Sequence, residues 1–189
     1  MKNILITGKN SYIGTSLENW LMREPDKYKV DTVDMKDGSW KEKDFSSYDV
    51  VFHVAGIAHI KETSDNQKLY YKVNRDLAYE TAQKAKQDGV EQFIFLSSMS
   101  VYGIENGVID KNTPLNPNSA YGKSKIEAEE LINKLQDDSF TVATLRPPMV
   151  YGKGCRGNYP RLVGLALNTP IFPKVDNKRS MIYIDNLSE

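Results

Sequence analysis

The chain is 189 residues long and balances 25 Lys plus Arg against 25 Asp plus Glu. That length suits one domain with a sizeable core, or one and a fraction, and the absence of net charge leaves no field to gather nucleic acid or an anionic membrane surface. The lone cysteine, Cys155, excludes an internal disulfide framework and fits a reducing cytoplasm, where the protein is expected to reside.

The opening segment, MKNILITG, is too short in its apolar run for a signal peptide, and no stretch approaches membrane-spanning length. Asn3–Thr7 (NILIT) reads as a buried strand. Ile13, Leu17, Trp20 and Leu21 then recur at helical spacing and predict a helix over Ile13–Arg23. Tyr28–Val33 and Val50–Val54 read as strands. Between them, the short polar stretch Met35–Tyr48 predicts a crossover abbreviated to a loop, with Trp40 either its anchor or a wall of an adenine pocket. Asn66–Gln87 predicts one long helix with Leu69, Val73, Leu77, Thr81 and Ala85 on its buried stripe. Gln92–Ser97 reads as a strand, Ala120–Leu135 as a helix and Thr141–Leu145 as a strand.

Near-continuous apolar strands alternating with helices indicate an α/β fold, a doubly wound parallel sheet of Rossmann type, over residues 1–150. From Pro147 onward, prolines and glycines interrupt the pattern. Arg161–Leu167 is a helical stretch and Met181–Ile184 a last short strand. Residues 151–189 are expected to begin a substrate-binding portion that is incomplete, since the sequence stops where another helix would start.

Three stretches carry chemistry. Thr7-Gly8-Lys9-Asn10-Ser11-Tyr12-Ile13-Gly14 lies directly between the first strand and the first helix. Gly8 permits a tight turn, Gly14 lets the helix pack closely on the sheet, and the helix N-terminus offers N–H groups to a pyrophosphate. Asp34 follows the second strand about 20 residues later, where a carboxylate accepts from ribose hydroxyls. It favours NAD over NADP, with Lys9 and Lys36 near enough in sequence to keep NADP as the alternative.

The second stretch, FLSSMSVYG, brings Ser97, Ser98, Ser100 and Tyr102 to a strand end, where hydroxyls face the ligand crevice of a parallel sheet. In the third, Tyr121 and Lys125 are four apart on a predicted helix and share one face. A nearby ammonium favours phenolate, as an enzyme needs to move a proton on a sugar or alcohol hydroxyl near neutral pH. Cys155 sits in GKGCRGN without a neighbouring histidine and reads as a passive thiol. His53 and His59 have no neighbours that complete a metal site, and none is expected.

In this order and at this spacing the motifs resemble the extended short-chain dehydrogenase/reductase family, particularly its nucleotide-sugar epimerases, dehydratases and reductases. The glycine turn is similar to TGxxGxxG. VFHVAG, with Val54, Ala55 and Gly56, resembles the family's HxAA strand on the adenosine side, and Asn74 resembles an Asn that supports active-site geometry. Ser98 takes the catalytic-serine position, with Ser100 beside it on the substrate side, and Tyr121 and Lys125 match YxxxK. LRPPMVYG, with Pro147, resembles the strand that touches the nicotinamide, and Arg179 the Arg that grips a nucleotide-sugar diphosphate.

The resemblance implies hydride transfer at sugar C4 with NAD as cofactor, Tyr121 moving the proton, and Lys125 binding the nicotinamide ribose and lowering the Tyr121 pKa. It implies a nucleotide-sugar substrate, UDP-linked by expectation, and a homodimer built on the two long helices. A 4-epimerase and a 4-keto reductase both fit, and a non-catalytic dinucleotide-binding sensor is the alternative from another class.

Three departures refine these expectations. Ser11 stands at the middle glycine of TGxxGxxG and would crowd a pyrophosphate. Met99 and Ser100 occupy the places of the dehydratases' acidic pair, which argues against 4,6-dehydration. Met149 replaces a substrate-contacting Asn. The family usually runs to about 300 residues, so this chain is expected to bind dinucleotide but to turn over sugar poorly.

Overall fold

The computed structural model describes residues 1–58, 60, 62–170 and 178–189; His59 falls outside them. Five parallel strands form the main sheet in the order β2-β1-β3-β4-β5. They are β1 (Lys2–Thr7), β2 (Tyr28–Val33), β3 (Val50–His53), β4 (Gln92–Leu96) and β5 (Thr141–Leu145). The order reverses about β1, with β2 on one side and β3 on the other, in register from Ile4↔Val50 to Thr7↔His53. Crossovers therefore leave β1 and β3 towards opposite faces, and the carboxyl ends of these two strands flank a crevice.

The period of two along β1 divides its side chains between two cores. Leu5 packs with Val51, Phe93 and Phe95 against Ala78, Ala82 and Ala85 of α3 (Leu77–Gln87) and Ala128 and Ile132 of α4 (Ala120–Asn133). Ile4 and Ile6 pack with Val50, Phe52 and Leu96 on the face covered by α1 (Tyr12–Leu21). Each large apolar side chain buried this way contributes about 1.5–3 kcal/mol. The abbreviated crossover after β2 holds only a 3₁₀ turn, Ser39–Lys41. Trp40 is buried there among Met35, Phe45 and Tyr48, so it anchors the loop.

The segment expected as one helix over Asn66–Gln87 is not uniform. A short α2 (Gln67–Tyr70) runs into a π-helical turn, Tyr71–Asp76, before α3. The wide turn shifts the inward face by one residue. Tyr70, Asn74 and Ala78 are buried, whereas Leu69 is 42% exposed and Val73 only half-buried. Thr81 and Ala85 do face the core, and the Thr81 hydroxyl donates to the Leu77 carbonyl at 2.6 Å.

Beyond β5, Met149–Tyr151 (β6), within LRPPMVYG, pairs in parallel with β7 (Met181–Tyr183) in a separate two-stranded sheet. α5 (Asn158–Asn168) lies between them in sequence, and the closing α6 (Ile184–Ser188) reaches back to α1, Ser188 Oγ lying 3.2 Å from Ser16 Oγ.

Candidate active site

The crevice is narrow where β1 and β3 end. Gly8, at φ +96°, has no room for a side chain: a β-carbon would stand 3.0 Å from the Ala55 nitrogen. The Gly8 and Lys9 amides donate to the Val33 carbonyl at 2.9 and 3.1 Å, bringing the end of β2 and Asp34 alongside the turn. Asp34 Oδ1 accepts from the Lys36 amide at 2.9 Å, which orients the carboxylate within its own loop.

Asn10 takes a left-handed φ of 63°, and Ser11 then caps α1, its Oγ accepting from the Gly14 amide at 3.1 Å. The Ser11 hydroxyl is thus turned onto the helix end and satisfies one of its free donors. Tyr12 and Ile13 open α1, and Val54 lies against Gly14, its Cγ1 3.1 Å from where a β-carbon would be. An open cleft of about 380 Å³ runs along the outer side of this turn, lined by Asn10, Ser11, Tyr12, Lys153, Arg156 and Asp185 among others; Tyr121 does not line it.

The π turn brings Asn74 to the same crevice, fully buried. Its Oδ1 accepts from the Ile57 amide at 2.9 Å, and its Nδ2 donates to the Ile57 carbonyl at 3.0 Å and to Ser124 Oγ at 3.2 Å. Asn74 thereby ties the loop after β3 to α4. A β-carbon on Gly56 would meet Asn74 Oδ1 at 3.0 Å and Lys125 Nζ at 3.4 Å, so these three positions converge. Behind them His53 is buried beside Phe93 and Phe95, with ring centroids 5.8 and 6.1 Å away, and its Nδ1 is 2.8 Å from Thr7 Oγ1. Burial first, then the Lys125 charge, push its pKa down to about 3, so the ring is neutral.

Ser98 caps a 3₁₀ turn, Met99–Tyr102, that leaves the end of β4. Its Oγ accepts from the Ser100 amide at 3.2 Å and lies 3.1 Å from Ser100 Oγ. The Met99 amide donates to the Pro147 carbonyl at 3.2 Å, which draws Pro147 to the same turn. α4 begins opposite. Ser119 caps it, accepting from the Gly122 amide at 3.1 Å, while Glu62 Oε2 accepts from the Ala120 amide at 2.9 Å. Tyr121 follows in the first turn, its ring 6.2 Å edge-on from Tyr70. Ser98, Tyr121, Lys125 and Asn74 thus belong to one edge of the sheet, whereas Arg179 is exposed on the segment leading into β7.

The electrostatics correct one expectation. Tyr121 does not have a lowered pKa: burial raises it, hydrogen bonding with the Ser98 side chain works in the opposite sense, and Tyr70 adds a smaller upward push. Lys125 is not the group that acts on the phenol. Its Nζ donates to the Leu96 carbonyl at 2.9 Å and lies 4.7 Å from the centre of the Phe95 ring. Burial pushes the ammonium down to about 8, against the opposing pull of Glu129. Spacing of i and i+4 put Tyr121 and Lys125 on one face, but the Lys side chain is long enough to reach the sheet edge instead.

Two further groups at the site lie in or beside the quoted motifs, which assigned them no role. Gly122 lets α4 approach the Ser98 turn, and an ion pair joins Glu129 of α4 to Arg146 just after β5. Glu129 stands four residues beyond Lys125, the same interval that links Lys125 to Tyr121, and that spacing could have marked it.

A model described as the NAD dependent epimerase/dehydratase family matches residues 4–189. The chain belongs to the NAD dependent epimerase/dehydratase family. Within that family it is 34% identical over 212 residues to a UDP-glucose 4-epimerase of Vibrio cholerae, covering 98% of this chain and 64% of that enzyme. It is 28% identical over 204 residues to an N-acetyl-alpha-D-glucosaminyl-diphospho-ditrans,octacis-undecaprenol 4-epimerase of Escherichia coli O157:H7, covering 99% of this chain and 61% of the relative. The chain therefore spans somewhat under two thirds of the length of these family members. Its fold is similar to that of MoeE5 in complex with UDP-glucose and NAD, with a TM-score of 0.82 and 24% identity over 98% of this chain and 69% of the other.

Proposed function

We propose that this chain forms the cofactor half of an NAD-dependent nucleotide-sugar 4-epimerase, residues 1–150 holding the dinucleotide and 151–189 contributing to the sugar side. The observation that carries this reading is the convergence of Ser98, Tyr121, Lys125 and Asn74 at the carboxyl edge of a sheet whose order reverses beside Gly8. The residues fit NAD. Gly8 leaves its crossing with Ala55 clear, Tyr12 and Ile13 open α1 where a helix N-terminus suits a pyrophosphate, and the Asp34 carboxylate suits ribose hydroxyls.

NAD, when bound, supplies the hydride acceptor and, through its cationic ring, a charge that favours phenolate. Tyr121 then takes the proton from the sugar 4-hydroxyl and later returns it. Ser98 hydrogen-bonds the same oxygen and the phenol. Lys125, held beside Gly56, is within the crevice for a ribose hydroxyl. Asn74 fixes the loop and helix that bracket the reacting atoms. Met99 and Ser100 provide neither general acid nor base for dehydration. Arg179 grips the diphosphate in this reading.

Incubation with UDP-glucose under NAD tests the proposal. Appearance of the C4 epimer without net change in cofactor supports the epimerase. No epimer from UDP-glucose, together with net oxidation of NAD(P)H in a parallel incubation with a UDP-linked 4-keto sugar, would move the assignment to a 4-keto reductase.

A further inference from the structure

The Ser98 turn is gripped at both ends by one ion pair that the proposed chemistry does not use. Glu129 is 2% exposed on its side chain, and Arg146 30%. The guanidinium forks onto the carboxylate, Nε 3.1 Å from Oε1 and Nη2 2.5 Å from Oε2. At the start of the turn, the Ser97 hydroxyl donates to Glu129 Oε1. At its end, Arg146 Nη1 donates to the Tyr102 hydroxyl at 2.9 Å. Ser98, Met99 and Ser100 lie between these two anchors. Backbone bonds from Ser97 to the Leu145 carbonyl (2.7 Å) and from Met99 to the Pro147 carbonyl (3.2 Å) tie the same turn to the strand end that carries Arg146.

We infer that Glu129 and Arg146 are positioning residues, clamping the Ser97–Tyr102 turn so that the Ser98 hydroxyl meets the Tyr121 phenol. Glu129 is two helical turns beyond Tyr121 on α4, so one helix carries both the phenol and the carboxylate that locates its partner serine. A fork of charge-assisted bonds fixes direction as well as distance, which a single hydrogen bond cannot do. An ion pair present only for packing could be replaced by apolar residues with little loss; the links to Ser97 and Tyr102 give this one a second task. The inference rests on the reading of Ser98 and Tyr121 as the proton-handling pair.

The test is carbon NMR of the chain with tyrosines isotopically labelled at Cζ, the Tyr121 signal being identified by its loss in Tyr121→Phe. Ser98→Ala is expected to move that signal, and Glu129→Gln to move it in the same direction by at least half as much. In a Ser98→Ala background Glu129→Gln should add almost nothing, because it acts through the serine. Tyr102→Phe, which leaves the ion pair whole and removes only the far anchor, should give a smaller shift of the same sign and carries the test alone if Glu129→Gln does not fold. A Tyr121 signal indifferent to these variants, or one moved equally with and without the Ser98 hydroxyl, would overturn the inference. The measurement needs neither cofactor nor sugar, so a positive result with no sugar turnover would sink only the functional reading.

Discussion

Gly122 of α4 lies so close to Ser100 that a β-carbon on it would stand 2.6 Å from the Ser100 carbonyl oxygen and 2.9 Å from Pro117 Cβ. The first contact is to backbone, which no rotamer change can relieve. Gly122→Ala would gain about 1 kcal/mol of helix propensity, yet overpacking of this kind costs about 1–3 kcal/mol. The helix must retreat from the Ser98 turn, and a displacement near 1 Å between reacting groups lowers turnover by about a hundredfold. Urea unfolding should show lower stability, and NAD titration an affinity little changed, since Gly8 and α1 are untouched.

The sheet was legible because each strand is a short apolar run bounded by turn residues, and Tyr28–Val33 and Thr141–Leu145 fall where the pattern puts them. The glycine turn and YGKSK were legible because their chemistry demands fixed spacing. The π turn was not, since no hydrophobic period announces an extra residue per turn, and so the buried stripe was misplaced onto Leu69 and Val73. The Lys125 contact was hidden for another reason. Spacing tells which face a side chain leaves, but not whether a carbonyl such as that of Leu96 offers a nearer partner.

Acid should destabilise the fold through His53. The folded pKa is depressed from 6.5 to about 3 by burial, so the unfolded chain binds the extra proton between those values, and stability falls as pH falls through that window. His53→Phe, flanked by Phe93 and Phe95, should lose less stability than the parent chain between neutral pH and pH 4, a comparison read from urea midpoints.

Lys125 sets the opposite end of the profile. Burial depresses its pKa from 10.5 to about 8, so the unfolded chain binds more protons above about pH 8 and stability rises with pH towards 10.5 from this residue. The unfolding free energy of the parent chain relative to Lys125→Met should therefore increase across that window. A flat or falling difference would contradict the buried ammonium.

Asp34 should govern the choice of dinucleotide. Replacing it with Asn removes the charge that repels a 2′-phosphate and weakens the acceptor for ribose hydroxyls. The ratio of NAD to NADP affinity, measured calorimetrically, is expected to fall by about tenfold, the size of one hydrogen bond to a charged group.

The central claim is that Tyr121 moves the proton while NAD takes the hydride, and it is tested most directly with Tyr121→Phe. Turnover of UDP-glucose by the NAD-loaded chain, followed as C4 epimer formed, should fall by about a hundredfold to ten-thousandfold, with NAD affinity within about twofold of the parent, since the lost hydroxyl is assigned no part in holding the dinucleotide. A Phe variant that turns over sugar as fast as the parent chain would contradict the account.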